Sequence, residues 1–224
     1  MLKFLEKAKE ANHRDYRKMV MAFYTGMRRG EILGLHWPDV DLDETKLMVR
    51  WTLQRIKGQG LKFKPKPKTK AGYRVIELPK TVVDMLKEIQ KEQAETKIFI
   101  SKKYWKGEMV DGKFVQRDLV FCRPNGKPES PQEVSRRFHK FVIEQDITDF
   151  SFHNQRHTNL SLLIADGVDD VTPASHAGHA KPSTSKNMYG HAFERKKREM
   201  ADQFEKKYGP NNGQKQNGQK IKAQ

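Results

Sequence analysis

Residues 25–43 read TGMRRGEILGLHWPDVDLD, and this stretch carries the most informative pattern in the chain. Within it, Thr25–Glu31 joins two segments in which apolar residues recur at helical spacing, so this part is expected to connect two helices. Glu31 follows Arg28 by three residues. A carboxylate in the first turn of the second helix suits the helix dipole and can brace a neighbouring guanidinium. The alternative interpretation is a surface turn on a basic protein.

The sequence on either side of this loop predicts helices and one strand. Residues 2–24 contain two helical stretches that break near Asn12–His13, and a third helix is predicted over Arg29–Leu35. Lys46–Leu53 alternates strictly between apolar and polar residues, which predicts a single strand with one buried face. Gly58-Gln59-Gly60 then breaks this strand.

The segment Lys62–Lys70, KFKPKPKTK, alternates lysine with proline and cannot be helical. The elements expected after it are a strand over Tyr73–Leu78 and a helix over Thr81–Lys97 with Val82, Val83, Leu86 and Ile89 inward. They are followed by an extended excursion over 98–118, a short strand over Leu119–Phe121 and a turn at Pro124–Gly126. A helix is then expected from Pro131 to about Gln145, with Ser130 as its N-cap. Three further helices are expected over Ser151–Ala165, Ser183–Tyr189 and Phe193–Lys207. The sequence therefore predicts a mostly helical α+β domain with a small antiparallel sheet near its beginning.

Length and composition limit the possible classes of protein. The 224 residues, 36% of them hydrophobic, can form one sizeable core, which we place at residues 1–208, while residues 209–224 are expected to form a disordered basic tail. No apolar run approaches the ~18 residues that a membrane-spanning helix needs. The charged N-terminus is not a signal peptide, and the lone Cys122 excludes a disulfide scaffold. We expect a cytoplasmic protein.

The charge of the chain indicates its class of partner. The net charge is +16 and the sequence pI is about 9.8, which is typical of proteins that bind nucleic acid. The alternative is another anionic partner, such as a membrane surface, but no basic amphipathic anchor helix is evident. We therefore expect a polyphosphate partner and no membrane.

His153 and Arg156 are three residues apart at the start of a predicted helix, so they share one face. The alternative is a solvated polar face. His153 and His157 also have the spacing of a zinc-binding pair, and His176 and His179 could add ligands. Asn154 stands where the general-base glutamate of that zinc motif would be, and the cationic Arg156 disfavours a dication. We expect no metal.

Four segments together resemble one family. TGMRRGEILGLHWPDVDLD (25–43) is similar to the first conserved box of the tyrosine recombinases, the phage-integrase family, and HNQRHTNLSLLIADGVD (153–169) is similar to the second. Gly178-His179, with Tyr189 ten residues after the histidine, matches the family's third segment and its tyrosine. These residues stand in the family's order, and the likeness covers about residues 15–195. It implies the mostly helical α+β fold of a tyrosine-recombinase catalytic domain.

The resemblance also implies which residues act on DNA. Arg28 and Arg156 hold the phosphate, where two bidentate guanidiniums suit the charge that gathers on the non-bridging oxygens. Tyr189 is the nucleophile, His153 the acid or base that handles its proton, and His179 a hydrogen-bond donor to a phosphate oxygen. The bond energy is kept in a 3′-phosphotyrosine linkage, so neither ATP, nor metal, nor another cofactor is required.

The family uses a lysine on a β-hairpin to protonate the leaving 5′ oxygen. Lys70 stands just before the predicted strand Tyr73–Leu78, and Lys68 is the alternative. Glu31 is expected to support the arginines. The residues expected to contact the DNA backbone are Arg29, Lys62, Lys64, Lys66 and Lys68.

Some positions compete or depart from the family pattern. Arg29 competes with Arg28 for the clamp, although the spacing after Thr25-Gly26 favours Arg28. Tyr208 competes with Tyr189 but lies far from the His179 spacing. Asn154, Gln155 and Ala177 replace residues that the family usually has, none of them catalytic, and Gln155 can alter helix packing.

The resulting hypothesis is a site-specific DNA recombinase of a phage or mobile element, of the integrase or excisionase type. Its partner would be double-stranded DNA at a specific attachment site, with the protein monomeric off DNA and tetrameric on paired sites. The alternatives are DNA relaxation of the type IB topoisomerase kind and a non-catalytic DNA-binding module. The chain is expected to be either an excised domain or a naturally short protein.

Overall fold

The computed structural model describes residues 2–65, 73–147, 150–152, 154–156 and 158. Its helices are α1 (Leu2–Glu10), α2 (Tyr16–Thr25), α3 (Arg29–Leu33), α4 (Lys80–Ile100) and α5 (Pro131–Glu144). Its strands are β1 (Val40–Asp41), β2 (Lys46–Val49), β3 (Trp51–Ile56), β4 (Gly60–Pro65), β5 (Arg74–Glu77), β6 (Gly107–Val110) and β7 (Lys113–Gln116). Short 3-10 turns occupy Trp37–Asp39 and Ser101–Lys103. This arrangement confirms the predicted α+β class.

The helices follow the sequence pattern closely. The predicted break near Asn12 is confirmed, because that residue has a positive φ of 47° between α1 and α2. Gly26 ends α2 in the left-handed conformation, with φ 60°, which glycine adopts without steric cost. Helix α3 ends two residues before the predicted Leu35. Ser130 stands at the N-cap of α5, but its hydroxyl bonds Gln132 rather than the helix backbone.

The prediction of one strand over Lys46–Leu53 is wrong. The chain leaves β2 at Arg50 and continues as β3 in a different sheet. Strand β2 pairs with β1 and β5, whereas β3 pairs only with β4, always antiparallel. Side-chain alternation has the same period in both strands, so it cannot report a change of sheet.

Strand β4 overlaps the start of the lysine–proline segment and was not predicted. Its proline, Pro65, is the last residue of the strand, where the missing N–H costs little. The following residues, 66–72, lie outside the described residues.

The predicted strand over Leu119–Phe121 is also wrong. Leu119 forms one isolated antiparallel bridge with His36, flanked by bonds from the Trp37 amide to Asp118 (2.8 Å) and from the Val120 amide to Leu35 (3.0 Å). The partner segment enters a 3-10 turn at Trp37, so no ladder can extend. The excursion over 98–118 contains the end of α4, a 3-10 turn and the β6–β7 hairpin.

The core lies between the N-terminal helices, the first sheet and helices α4 and α5. Residues predicted to point inward are buried as expected: Val82, Val83, Leu86, Ile89, Val134, Phe138 and Phe141. The Phe4 ring packs against Phe138 and Phe141, with centroids 5.7 and 5.5 Å apart, which joins α1 to α5. No described helix has the length and apolar character required to cross a membrane.

Helix α3 lies unusually close to β3 because it carries a glycine at the contact. A Cβ on Gly30 would lie 2.7 Å from the Thr52 hydroxyl oxygen and 2.9 Å from the Leu53 carbonyl oxygen. This approach fixes the start of α3, and with it Arg28, against the sheet.

Candidate active site

The loop between α2 and α3 is shaped by its own side chains. The Thr25 hydroxyl donates to the Met21 carbonyl (2.5 Å) and accepts from the Met27 amide (3.3 Å), and Thr25 is fully buried. The left-handed Gly26 then turns the chain. Arg28 consequently occupies the N-cap position of α3 with extended backbone.

Glu31 organises the arginine at this N-cap. Its carboxylate accepts from the Arg28 amide (2.9 Å) and from Arg28 Nη1 (3.1 Å). The Glu31 side chain is fully buried, while 39% of the Arg28 side chain is exposed. The predicted support of Arg28 by Glu31 is thus present as a buried carboxylate that holds a partly exposed guanidinium.

The same carboxylate binds a second arginine that the sequence analysis missed. Arg74, the first residue of β5, donates from Nη1 to Glu31 Oε1 (3.2 Å) and from Nη2 to Oε2 (2.7 Å). Its side chain is 8% exposed. The available signal was an arginine that opens a strand directly after a basic segment, which alone does not identify a partner 43 residues away.

Arg156 lies beside the loop despite its distance along the chain. It belongs to the short helical segment at residues 154–156, is 1% exposed and donates from Nη1 to the Gly26 carbonyl. A cavity of about 310 Å³ opens at this point. It is lined by Met27, Arg28, Arg29, Gly30, Phe152 and Arg156. The structure therefore places the two predicted clamp arginines around one cavity.

Arg29 lines the same cavity but makes different contacts. Its Nη1 donates to the Ser135 hydroxyl of α5, and its buried Nε has no hydrogen-bond partner among the described residues. Burial lowers the pKa of the Arg29 guanidinium below its usual value. Arg28, by contrast, is braced by Glu31, and 39% of its side chain is exposed.

The chemistry of this cavity suits an anion. Among the described residues, its lining includes three guanidiniums and no carboxylate. Guanidiniums present planar pairs of N–H donors that match phosphate or carboxylate oxygens, and they keep their charge. A bound tetrahedral phosphate could accept from two of them at once.

The remaining predicted residues fall into two groups. Lys62 and Lys64 are exposed on β4 and alternate with the half-buried Leu61 and Phe63, so both ammonium groups lie on one open face. Those outside the described residues are Lys66, Lys68, Lys70, His153, His179 and Tyr189, together with the alternative Tyr208. Their assignments stay predictions.

The metal-site alternative also concerns residues that the structure leaves out. His153, His157, His176 and His179 all lie outside the described ranges. Within those ranges, no group of three His, Cys, Asp or Glu side chains is arranged to hold a metal ion. The expectation of a metal-free site stays a prediction.

A buried ionic cluster at the junction of α2 and α5 was also missed by the sequence analysis. Arg137 of α5 donates to Asp15 (2.7 and 2.9 Å) and to Glu129 (2.6 Å). Lys18 of α2 donates to Asp15 (2.9 Å) and Glu129 (3.4 Å), and Arg14 reaches Glu129 at 3.4 Å. The one signal was Lys18, a charged residue directly before the buried run Met19–Phe23.

Comparison with known proteins gives one consistent group. The sequence model of the phage integrase family matches residues 1–196. A tyrosine recombinase XerC-like protein of Caldanaerobacter subterraneus subsp. tengcongensis is 30% identical over 203 residues, which cover 86% of this chain and 50% of that protein. The ICEBs1 integrase of Bacillus subtilis is 28% identical over 185 residues, which cover 83% and 47%. The chain spans about half the length of the curated relatives it matches.

Solved structures share the fold. The Tn1549 transposon integrase, solved in complex with circular intermediate DNA, superposes with a TM-score of 0.72 at 24% identity, covering 89% of this chain and 64% of that one. The XerA recombinase superposes with a TM-score of 0.61 at 22% identity, covering 90% and 61%. At this identity the likeness concerns the fold alone.

Proposed function

Since the chain belongs to the phage integrase family, we propose that it is a site-specific DNA recombinase that cleaves and rejoins strands through a 3′-phosphotyrosyl intermediate. The observation that carries the proposal is the cavity at which Arg28 and Arg156 meet. A phosphodiester is the substrate that two always-charged, bidentate donors fit best. The relatives include the ICEBs1 integrase, an integrase of Staphylococcus phage L54a and the transposase of transposon Tn916, which favours a phage or another mobile element as the origin of this chain.

The two arginines act on the scissile phosphate. During attack, negative charge gathers on the non-bridging oxygens, and guanidiniums aimed at these oxygens stabilise the transition state more than the ground state. Arg156 is held against Gly26 and Arg28 against Glu31, so both are positioned before the DNA arrives. This preorganisation lowers the barrier because no reorganisation is needed at the moment of reaction.

The proton transfers are assigned by family resemblance. The Tyr189 oxygen attacks phosphorus, a bond from this oxygen to phosphorus forms, and the bond from phosphorus to the 5′ oxygen breaks. His153 handles the phenol proton, Lys70 or its alternative Lys68 protonates the leaving 5′ oxygen, and His179 donates to a phosphate oxygen. Rejoining reverses these steps with a 5′ hydroxyl as nucleophile, so no ATP or metal is consumed.

The basic surface is proposed to bind the DNA backbone. Lys62 and Lys64 lie exposed on β4, and the segment with Lys66, Lys68 and Lys70 follows directly in the chain. With a net charge of +16, affinity should fall steeply with salt because phosphate contacts release counterions. We propose double-stranded DNA at an attachment site as partner, a monomer off DNA, a tetramer on paired sites, and action in the cytoplasm.

A suicide-substrate assay tests the proposal. DNA nicked next to the cleavage point loses a short fragment after attack, so the covalent protein–DNA adduct accumulates and survives denaturant. The wild-type chain should form this adduct even when a metal chelator is added to the reaction. Tyr189→Phe should form none, while binding DNA equally well. Tyr208→Phe is the matched control and should behave like wild type. An adduct from Tyr189→Phe, or none from wild type on DNA that it binds, contradicts the proposal.

A further inference from the structure

Arg74 belongs to the arginine site, although it does not reach the cavity. Strand β5 begins at Arg74, which pairs with Val49 of β2, so its backbone is held by the sheet ladder. Its guanidinium makes two bonds to Glu31, at 2.7 and 3.2 Å. It is not among the residues that line the cavity. The contact of Arg74 with the arginine site is therefore made through Glu31.

Glu31 is shared between two guanidiniums of unequal exposure. Oε1 accepts from Nη1 of both arginines, at 3.1 and 3.2 Å. Oε2 accepts from Arg74 Nη2 (2.7 Å) and from the Arg28 amide (2.9 Å). The shortest of these four bonds belongs to Arg74. Because the Arg74 side chain is 8% exposed and that of Arg28 is 39% exposed, only Arg28 presents its charge outward.

The charge balance among these three side chains gives Arg74 a role. These three side chains together carry one net positive charge, and Arg28 is the arginine that borders the cavity. Without Arg74, the charges of Arg28 and Glu31 would cancel. A carboxylate released from Arg74 would also draw the Arg28 guanidinium more fully onto itself.

We propose that Arg74 is a positioning residue: it satisfies Glu31 so that Arg28 remains a net cation aimed at the cavity. This inference rests on the proposed DNA cleavage. Arg74, the first residue of β5, would thereby preserve the net charge of Arg28 at the N-cap of α3. The competing explanation is that the Arg74–Glu31 pair only pins β5 to α3.

The test compares two scissile phosphates in single-turnover adduct formation. One is the normal phosphodiester, and the other is a methylphosphonate, in which a methyl group replaces one non-bridging oxygen and removes the charge. Arg74→Gln should lower the rate on the phosphodiester by about 100-fold and on the methylphosphonate far less, because that substrate has less charge to neutralise. Glu31→Gln combined with Arg74→Gln should recover much of the phosphodiester rate, since it restores the net charge on Arg28.

Arg50→Gln is the matched control. Arg50 also binds a buried carboxylate, Asp39, at 3.2 Å, but that pair has no bond to Arg28. This variant should lower both rates equally or not at all. Equal losses on the two substrates for Arg74→Gln, with no recovery in the double variant, would show a pinning role and overturn the proposal.

A conservative variant keeps the test decisive if Arg74→Gln does not fold. Arg74→Lys retains a positive charge beside Glu31 and should keep the wild-type ratio of the two rates, whereas a ratio shifted towards methylphosphonate overturns the inference. If wild type forms no adduct on either substrate, the proposed DNA cleavage fails instead. The two failures are thus distinguishable.

Discussion

Two clusters in this chain combine buried carboxylates with basic side chains but lie in different surroundings. The cluster at the loop between α2 and α3, here called the open cluster, is Glu31 with Arg28 and Arg74. The cluster between α2 and α5, here called the closed cluster, is Asp15 and Glu129 with Lys18, Arg137 and Arg14. Both bury their carboxylates almost completely.

The clusters differ in what lines the cavities beside their exposed arginine. In the open cluster, Arg28 is 39% exposed and borders a cavity whose described lining contains no carboxylate. In the closed cluster, Lys18 and Arg137 each bind both carboxylates, and Arg14, 54% exposed, borders cavities whose linings include Glu92, Glu129 and Glu133. Burial alone would raise the pKa of Asp15, but bonds from Arg137 and the charge of Lys18 bring it below its usual value. The open cluster is therefore the one whose cavity suits an anion.

Breaking the closed cluster should have the largest effect, and it should fall on stability. Arg137→Ala leaves Asp15 and Glu129 buried with fewer partners, and removing one member of a buried pair lowers the free energy of unfolding by about 3–5 kcal/mol. Urea denaturation followed by circular dichroism measures this loss. Lys140→Ala, an exposed lysine of the same helix, should change stability by less than ~0.5 kcal/mol. A similarly small loss for Arg137→Ala would remove the distinction between the clusters.

Breaking the open cluster at its exposed member should affect chemistry instead. Arg28→Ala should slow adduct formation by about 10²–10³-fold, the cost of removing one donor to a developing charge. Stability should change little, because Glu31 keeps both bonds from Arg74. Rapid-quench adduct kinetics and a thermal melt report the two properties. An Arg137→Ala variant that slows the chemistry of its folded fraction as much as Arg28→Ala does would contradict this separation.

A buried histidine supplies a third environment, formed mainly by aromatic rings. His36 packs against Trp51 and Phe63, and neither ring nitrogen has a hydrogen-bond partner among the described residues. Burial, aided by the charge of Arg117, lowers the pKa of His36 to about 4. In the unfolded chain, His36 therefore binds a proton below about pH 6.5, whereas in the folded chain it binds one only below about pH 4.

Stability should consequently fall by about 3 kcal/mol as the pH decreases from 6.5 to 4. His36→Phe should flatten this dependence in denaturant titrations at several pH values. The Asp15 contribution is lost only below the ordinary aspartate pKa, because the folded-state pKa of Asp15 is depressed. The two environments thus titrate in separate windows, and an unchanged slope in His36→Phe would contradict the assignment.

The smallest effect is expected for an ion pair on the surface. Arg17 binds Glu92 through two bonds of 2.6 and 2.5 Å, but both side chains are partly exposed. Arg17→Ala should cost less than ~1 kcal/mol, and added salt should reduce even that difference. A double-mutant cycle with Glu92→Ala measures the pair energy. A pair energy as large as the loss of stability expected for Arg137→Ala would show that the two-bond geometry of this pair matters more for its energy than its exposure.

Local signals predicted most of the fold. The helices of residues 2–33 and 80–144 follow from apolar spacing and from the helix start at Ser130-Pro131. Alternation found the strand residues but not the change of sheet at Arg50, which depends on which strand lies alongside. The isolated bridge at Leu119 is likewise decided by its partner His36, 83 residues earlier in the chain.

The site was only partly predictable, for a similar reason. Arg28, Glu31 and Arg156 stand in recognisable boxes, and the structure brings them together. Arg74 could not be identified, because the role of an arginine at the start of a strand depends on the buried carboxylate that it binds. The closed cluster was invisible for the same physical reason, since long-range charge pairing leaves no periodic trace in a sequence.

The direct pairing of β2 with β5 has a consequence for how this architecture can change. Val49 and Arg74 face each other in the ladder, so the chain leaves and re-enters this sheet at neighbouring points. The β3–β4 hairpin, with its turn at Gly58, lies between these two points in the chain. Residues added in pairs at that turn preserve side-chain alternation and leave Arg74 in register. The length of the β3–β4 hairpin can therefore change while the pairing of Arg74 with Val49 is kept.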